Sequence, residues 1–454
     1  MQPTKSRLLH DTLRRYLRRQ AWGHLDKVLT KTRVEDLAAV LTGMGEREQI
    51  TIFERLKSSE DKANLIVSMQ PPFGKHVLDP MPAPDAAEIL REMAQDDMAD
   101  ILGDLEPEQA AKVLEILDES DGVENLMRFA EDTAGGIMLP EFVAVSADMT
   151  AEEALIALRD SGDDIEMVYY IYVVNEHGHL VGVLSLRKLV VAPAHKRIRE
   201  IMETEILSVT TDTDQEEVAR LVSEYDILAI PVVDDANRLV GIVTVDDVID
   251  VLKEEAEEDM LRMAGVGSTY MSPDAGILSH VKMRMPWLIA SACGGLLAAA
   301  AMGSFDEILE AHHYLALFLP IILGMAGNVG SQAATVTVRG LAMGHIRSGE
   351  FSFKAVRKEA AIGLAMGTVY GSVVGLIGGF ASDTLAYGMS IGLALMCGMI
   401  LSSTMGTVMP LTLARLHIDP AVATGPLVST STDVLGVITY FTIATQLMNL
   451  FGIA

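Results

Sequence analysis

Five long apolar stretches follow one another after residue 285, at about 286–305, 313–341, 359–381, 385–413 and 421–450, and no other feature limits the fold of this chain so strongly. Each is long enough to cross a hydrocarbon core of roughly 30 Å as a helix. Glycine recurs in all of them, as expected where helices pack closely in lipid. Gly363, Gly367, Gly371 and Gly375 are four residues apart and share one helix face. The loops alternate in charge. Lys282 and Arg284 precede the first stretch, Arg347, Lys354, Arg357 and Lys358 lie in the second loop, and Arg415 lies in the fourth. The first loop (Asp306, Glu307, Glu310, His312, His313) and the third (Asp383) carry no Lys or Arg. Basic loops stay in the cytoplasm, so the N-terminal part is expected inside and the C-terminus outside.

Charge separates the chain into two parts. From Val281 onward there are eight Lys or Arg and eight Asp or Glu, so the whole net charge of −28 falls on residues 1–280. Such an acidic surface repels nucleic acid and anionic headgroups and attracts cations. Solubility alone is the competing explanation. An exception opens the chain: Lys5, Arg7, Arg14, Arg15, Arg18 and Arg19 alternate with Leu8, Leu9, Leu13 and Leu17. This pattern predicts an amphipathic helix lying on a partner or on the inner membrane surface. The segment lacks the apolar core of a secretory signal. Cys293 and Cys397 sit in apolar runs with no Cys or His at ligand spacing, which points to packing and not to a disulfide framework.

Polar residues inside apolar spans mark function. Asp433 lies in Pro426-Leu-Val-Ser-Thr-Ser-Thr-Asp433-Val-Leu-Gly-Val, seven residues past Pro426 and so roughly 10 Å along a helix. A carboxylate at that depth costs about 2.5–3.5 kcal/mol on insertion scales and needs compensation. Either Asp433 is a structural residue, protonated or hydrogen-bonded with help from Ser429, Thr430, Ser431 and Thr432, or the side chain faces a path for cations. The second span reads Pro320-Ile-Ile-Leu-Gly324-Met-Ala-Gly327-Asn328-Val-Gly330-Ser331-Gln332. Its glycines are expected to leave carbonyls uncovered, which is tolerated only against protein or a water-filled path. With Asn328, Gln332 and a carboxylate these are hard oxygen ligands, suited to Mg²⁺ or Ca²⁺. A small-residue packing face is the alternative.

The N-terminal part contains two kinds of repeat. Asp36-Leu-Ala-Ala-Val-Leu, Asp61-Lys-Ala-Asn-Leu-Ile, Asp85-Ala-Ala-Glu-Ile-Leu, Asp97-Met-Ala-Asp-Ile-Leu and Gln109-Ala-Ala-Lys-Val-Leu are similar, the last three spaced by twelve residues. Each predicts one short helix, and stacked they predict a small superhelix. The run Pro71-Pro72…Pro80-Met-Pro82-Ala-Pro84 reads as an interrupting loop. Further on, Gly136-Ile-Met138…Val168–Val174…Leu180-Val-Gly182-Val-Leu-Ser185 answers Glu200-Ile-Met202…Ile227–Val233…Leu239-Val-Gly241-Ile-Val-Thr244. Each half predicts strand, helix, two strands, helix. The pair resembles tandem cystathionine-β-synthase-type (CBS) domains, whose nucleotide pattern is Gly-apolar-x-Ser/Thr-x-x-Asp. Gly241, Thr244 and Asp247 fit it; the first copy has Gly182 and Ser185, but Lys188 replaces the Asp. Asp247, Asp250, Glu254 and Glu258 then fall at helical spacing on one face, where like charges repel unless a cation bridges them. Residues 261–281 are expected to lead without a flexible linker into the first span.

Acidic superhelix, CBS pair, acidic helix and five spans in this order resemble the MgtE family of magnesium channels over essentially the whole chain. The motifs are Gly324-x-x-Gly327-Asn328-x-Gly330-x-Gln332, Met409-Pro410…Arg415-Leu…Asp419-Pro420-Ala and Pro426-Leu-Val…Asp433. The resemblance implies a multidomain protein: an all-α N-terminal superhelical domain, α/β tandem CBS domains and a five-helix all-α transmembrane domain. The expected boundaries are a basic amphipathic helix at 1–24, superhelix 25–133, CBS domains 134–198 and 199–253, a connecting helix 254–281 and a pore domain 282–454. It implies a homodimer in the cell inner membrane, with membrane lipid and Mg²⁺ as its partners and no nucleic acid. Asp433, with Asn328 and Gly327, would hold the hydrated ion in the pore. Intracellular Mg²⁺ would close the channel through Glu216, Asp226, Asp247, Asp250, Glu255, Glu258, Asp259 and Asp419, with Asp97 or Asp96 on the superhelix. ATP is a candidate CBS ligand through Gly241, Thr244 and Asp247, so Asp247 is claimed twice.

Other functions are less well served. A lone intramembrane Asp, with no Lys or Arg in the spans beyond Arg339, speaks against an anion transporter. An enzyme is not expected: there is no His-Glu-x-x-His and no Gly-x-Ser-x-Gly. A nucleotide-sensing scaffold leaves Asp433 unexplained.

Overall fold

The computed structural model describes residues 3–69, 72–117, 123, 125–160, 168–266, 277–346, 351–416, 418–423 and 425–452. Two compact units result, Met1–Lys253 and Glu254–Ala454. The segment 267–276, on which the expected rigid lead-in to the first span falls, lies outside the described residues.

The first unit opens with nine helices among the described residues: α1 Pro3–Arg18, α2 Trp22–Leu29, α3 Val34–Leu41, α4 Glu46–Arg55, α5 Ser59–Ser68, α6 Pro72–Leu78, α7 Ala83–Leu90, α8 Gln95–Asp104 and α9 Pro107–Ile116. Alternate helices touch, α3 on α5, α5 on α7 and α7 on α9, with α4 on α6 and α6 on α8 in a second row. The repeating unit is therefore a helix pair, not the single helix expected from the twelve-residue spacing. The Pro-rich run is a loop only in part: 79–82 form the turn between α6 and α7, and Pro71 lies outside the described residues. Pro72 and Pro84 stand in the first turns of α6 and α7, where a fixed φ helps and the missing N–H would be unpaired anyway. The apolar stripe of α1 is also used internally. Leu13 is fully buried and Leu9, Tyr16 and Leu17 pack on the same core, as α1 lies on α2 and α3. The apolar side expected on a partner or on the inner membrane surface is thus seated on its own domain, and only Leu8 of its four leucines stays exposed.

Two similar α/β repeats complete the unit. The first has β1 Ala144–Ser146, α10 Ala151–Asp160, β2 Tyr170–Val174, β3 Leu180–Ser185 and α11 Leu186–Val191. The second has β4 Val209–Thr210, α12 Gln215–Tyr225, β5 Ala229–Val233, β6 Leu239–Thr244 and α13 Val245–Met263. In each, the first strand is parallel and the third antiparallel to the central one. The repeats exchange their leading segments. Leu139 and Ile242 trade backbone hydrogen bonds at 2.8 and 2.9 Å, and Glu203 and Val183 at 2.8 and 2.9 Å. Tyr172, Leu180, Val233, Leu239 and Ile242 form a core between the repeats.

The second unit holds five helices long and apolar enough to cross a bilayer: α14 Ile277–Gly303, α16 His313–Ala342, α17 Phe353–Ser382, α18 Leu385–Arg415 and α19 Pro426–Phe451, with the short α15 Asp306–Ala311 between the first two. The third starts earlier than expected, because Ser352 caps its N-terminus. The fifth starts later, because 420–423 forms a 3₁₀ turn before Pro426. α16 runs unbroken through Gly324, Gly327 and Gly330, so the expected interruption is corrected: the carbonyls stay in the helical ladder. α18 packs against α16, α17 and α19. Its contact with α17 is backbone on backbone, since a β-carbon on Gly371 would lie 2.5 Å from Gly392 O and one on Gly375 2.7 Å from Gly388 O.

That spacing predicts the effect of added methyls. Gly371→Ala must push the two backbones apart, an overpacking cost of about 1–3 kcal/mol. Gly295→Ala meets open space, with nothing within 4 Å, and gains helix propensity. Thermal unfolding of the solubilised chain should show a lowered midpoint for the first and an equal or higher one for the second.

Candidate functional site

The register of α16 against α19 sets the depth of Asp433. A β-carbon on Gly330 would lie 3.0 Å from Thr432 Cγ2 and 3.2 Å from Val428 Cγ1, and one on Gly436 3.1 Å from Leu323 Cδ2. The two helices are antiparallel, and between these anchors Asp433 falls level with Gly327 and Asn328. The three residues expected to line the path therefore share one depth. The sides of Gly324 and Gly327 that would carry a β-carbon face open space.

Asp433 is half-buried and has no hydrogen-bond partner among the described residues. The neighbouring hydroxyls do not serve it. Ser429 Oγ donates to Pro426 O at 3.2 Å, Thr430 Oγ1 to Leu427 O at 3.3 Å, Ser431 Oγ to Leu427 O at 2.7 Å and Thr432 Oγ1 to Ser429 O at 2.9 Å. All four turn back onto their own helix, which removes the hydrogen-bonded structural Asp. On α16, Asn328, Gln332, Thr335 and Arg339 are exposed at spacings of four, three and four, forming one polar stripe. Thr335 was legible only from that spacing.

A second carboxylate was missed. Glu359 stands six residues inside α17 rather than at its edge. Ser403 Oγ donates to its main-chain oxygen at 2.7 Å and to Oε2 at 3.4 Å. Gly330 packs on Gly406 and Gly363 on Met399 and Ile400, so Glu359 lies near the depth of Asp433, behind α18.

In the first unit, acids of α8 and α13 converge. Burial, with the carboxylates of Asp97, Asp247 and Asp100 nearby, pushes Asp96 up to about 8. Burial likewise pushes Asp247 up to about 6, against the hydrogen bond from Thr244. Asp96 Oδ1 and Gln95 Oε1 are buried without partners. Asp96 thus lies within reach of the charges of both Asp97 and Asp247. Orphaned oxygens of this hardness fit a divalent cation such as Mg²⁺. The same Asp247 belongs to the nucleotide motif. Its Oδ2 accepts from Thr244 Oγ1 and, at 3.3 Å, from Thr244 N–H, so it caps α13. Gly241 lies under Met138, whose sulfur would be 2.6 Å from a β-carbon there. Ribose recognition would need the carboxylate that now caps the helix.

The other expected sensor acids are spread out. Glu216 and Asp226 are exposed at opposite ends of α12, Asp226 with φ of 51°. Asp250 is exposed and pairs with Lys253 at 2.5 Å. Asp247, Asp250, Glu254 and Glu258 all lie on α13 at spacings of three and four. In the second unit the inward side of α13 is Glu255, Glu258, Asp259 and Arg262. Arg262 pairs with both Glu258 and Asp419. Asp419 Oδ1 accepts from Ala421 N–H at 2.7 Å and so orders the turn before α19. Burial and the charges of Asp419 and Glu255 push Asp259 up to about 6. Gly265, with φ of 68°, brings the chain end of α13 against Pro426, the first residue of α19. Among the described residues no three His, Cys, Asp or Glu side chains converge closely enough to form a ready metal centre.

Known proteins share these parts. The family described as a divalent cation transporter (MgtE) matches residues 319–443, the MgtE intracellular N domain matches 32–132, and the CBS domain matches 134–195 and 198–254. The chain is 42% identical over 328 residues to the magnesium transporter MgtE of Thermus thermophilus, covering 72% of each. It is 37% identical over 334 residues to that of Enterococcus faecalis, covering 74% of this chain and 73% of the relative. A crystal structure of the cytosolic domain of the Mg²⁺ channel MgtE in complex with ATP superposes with a TM-score of 0.50 at 41% identity, covering 53% of this chain and 99% of that one. With relatives this similar over nearly three quarters of its length, and with five helices fit to cross a bilayer, the chain belongs to the MgtE family and is a multi-pass membrane protein.

Proposed function

We propose that two copies of this chain form a channel that admits hydrated Mg²⁺ across the cell inner membrane, closed by Mg²⁺ on the cytoplasmic side. The observation that carries this reading is Asp433, a carboxylate without a hydrogen-bond partner among the described residues, at the depth of Gly327 and Asn328. Mg²⁺ loses water reluctantly, so a site of few carboxylates and amides that grips it through water suits passage. A polar stripe at Asn328, Gln332 and Thr335 cannot face lipid tails, and a second copy across a two-fold axis would enclose it. The basic loops support a cytoplasmic N-terminus and an outer C-terminus.

Gating follows from the acids. Asp96, Asp97 and Asp247 in one unit, and Glu255, Glu258, Asp259 and Asp419 in the other, repel one another while unneutralised. Glu216, Asp226 and Asp250 stand exposed, where they could bind only between surfaces. Neutralised, these faces close up and α13, which carries acids of both units, holds the turn before α19. A ligand that prefers the compact state shifts the population toward it. ATP is proposed to bind the second CBS repeat at Gly241, Thr244 and Asp247, in competition with the cap on α13. The family is one of transporters, and no catalytic role is assigned to this chain.

Asp433→Asn should lower Mg²⁺ flux into proteoliposomes at least about tenfold, equivalent to ~1.4 kcal/mol in the barrier. Undiminished flux in that variant removes Asp433 from the path. Raising Mg²⁺ on the cytoplasmic face of the wild type should stop the flux, and flux indifferent to it would overturn the gating.

The raised carboxyl groups set a pH dependence with a definite sign. The folded state keeps protons on Asp247 to about pH 6 and on Asp96 to about pH 8, whereas the unfolded chain releases them near pH 4. Folded protons exceed unfolded ones in this window, so stability falls as pH rises through it. In chelator, the unfolding midpoint of the acidic unit should drop between about pH 5 and pH 8. Mg²⁺ should restore it at the upper end, and Asp96→Asn should flatten the slope. A flat profile in the wild type would count against the buried acid pair.

A further inference from the structure

Residues 1–33 hold nine Lys or Arg against two Asp, at the start of a unit that is otherwise strongly acidic. Most of these cations are not spent inside the fold. Arg14 pairs with Glu48 at 3.1 Å, but Arg7, Arg15, Arg18, Arg19, Lys27, Lys31 and Arg33 are exposed and form no ion pair among the described residues. Helical spacing gathers Arg7, Arg15, Arg18 and Arg19 on the side of α1 opposite Leu9, Leu13 and Leu17. Leu8 stands on that outer side, 69% exposed, and Asp11 is its one acid. A groove of about 460 Å³ runs beside it, between Leu8, Leu9 and Thr12 of α1 and Lys31, Thr32, Arg33 and Asp36. α1 and α2 precede the residues that match the family's N domain, 32–132.

We propose that this outer face of α1, with Lys31 and Arg33, docks on the anionic lipid headgroups of the membrane that holds the protein. Three observations favour a bilayer over another occupant. The patch is complementary in charge to anionic headgroups, and polybasic segments gather at such a leaflet. An exposed leucine among arginines suits shallow insertion at the headgroup boundary, while the main apolar stripe of α1 is already buried and cannot insert. The five spans of the second unit tether the patch to a membrane, which raises its effective concentration there. The acidic remainder is repelled by the same surface, so contact confined to α1 orients the first unit. The choice of the cytoplasmic leaflet rests on the orientation proposed above; the docking itself does not.

The test uses the full chain in nanodiscs carrying a small fraction of photoreactive phosphatidylglycerol or, separately, photoreactive phosphatidylcholine. Peptides from residues 7–19 should be labelled at least about fivefold more by the anionic lipid. Replacing Arg7, Arg15, Arg18 and Arg19 together by Gln should remove that excess. Labelling of α14–α19 should stay unchanged and so controls for folding and reconstitution, and Leu8→Asp should weaken the signal independently. Equal labelling by the two lipids, or labelling untouched by the Gln variant, overturns the proposal. So does a carbodiimide cross-link from Lys31 to an acidic peptide of a second copy in place of lipid labelling, which would make the face a contact between copies. Flux is not read, so failure here and failure of the transport reading are separate results.

Discussion

Carboxylates held near one another, or in apolar surroundings, without basic partners are the constraint on which this molecule is built. Burying an ionised group costs several kcal/mol unless it is paired or neutralised. The chain places carboxyl groups in that situation repeatedly: Asp433 within α19, Asp96 beside Asp247, where the proton is kept to about pH 8, and Asp259 beside Asp419. Across the chain 63 Asp and Glu face 35 Lys and Arg. Acids so placed are relieved by a proton or by a cation between them, and this links the proposed cargo to the proposed regulator.

Arg262 is the instructive exception. It sits among Glu258, Asp259 and Asp419 and pairs with two of them, joining α13 to the turn before α19. The guanidinium does within one unit what a divalent cation would do at the other acidic faces. Close by, Gly265 in the left-handed region lets the chain end of α13 meet Pro426 without a side chain intervening. The first turn of the helix that carries Asp433 is therefore held by the end of the helix that carries the acids. α17 and α18 contribute differently: their glycines let two backbones touch, and that contact fixes the wall behind α16 and α19.

Much was legible in one dimension. Length and apolarity were enough for the five spans, periodic glycines for the face that meets α18, and internal similarity for two α/β repeats with the same strand order. Where the reading failed, a local rule had more than one spatial outcome. Proline was taken as a breaker, yet Pro72 and Pro84 begin helices, because the first turn needs no N–H from them. Glycine was taken as an interruption of α16, yet it marks where a neighbour, or open space, replaces a side chain. The leucines of α1 point to a partner or to the inner membrane surface, yet Leu9, Leu13 and Leu17 pack within their own domain, where α1 lies on α2 and α3.

The sequence by itself determined which residue types are available and in what periodicity: an acidic first part, a neutral apolar second part, one Asp deep in the last span, and hard oxygen donors in the second span. These depend only on composition and on helix and strand periods. The tertiary structure decided who faces whom. That Asp433 is level with Asn328, that its serine and threonine neighbours turn away, that Asp96 comes near Asp247, and that Arg262 holds Asp419 all depend on the register between elements far apart in the chain. That register is set by side-chain packing and close backbone approach, and no local pattern encodes it.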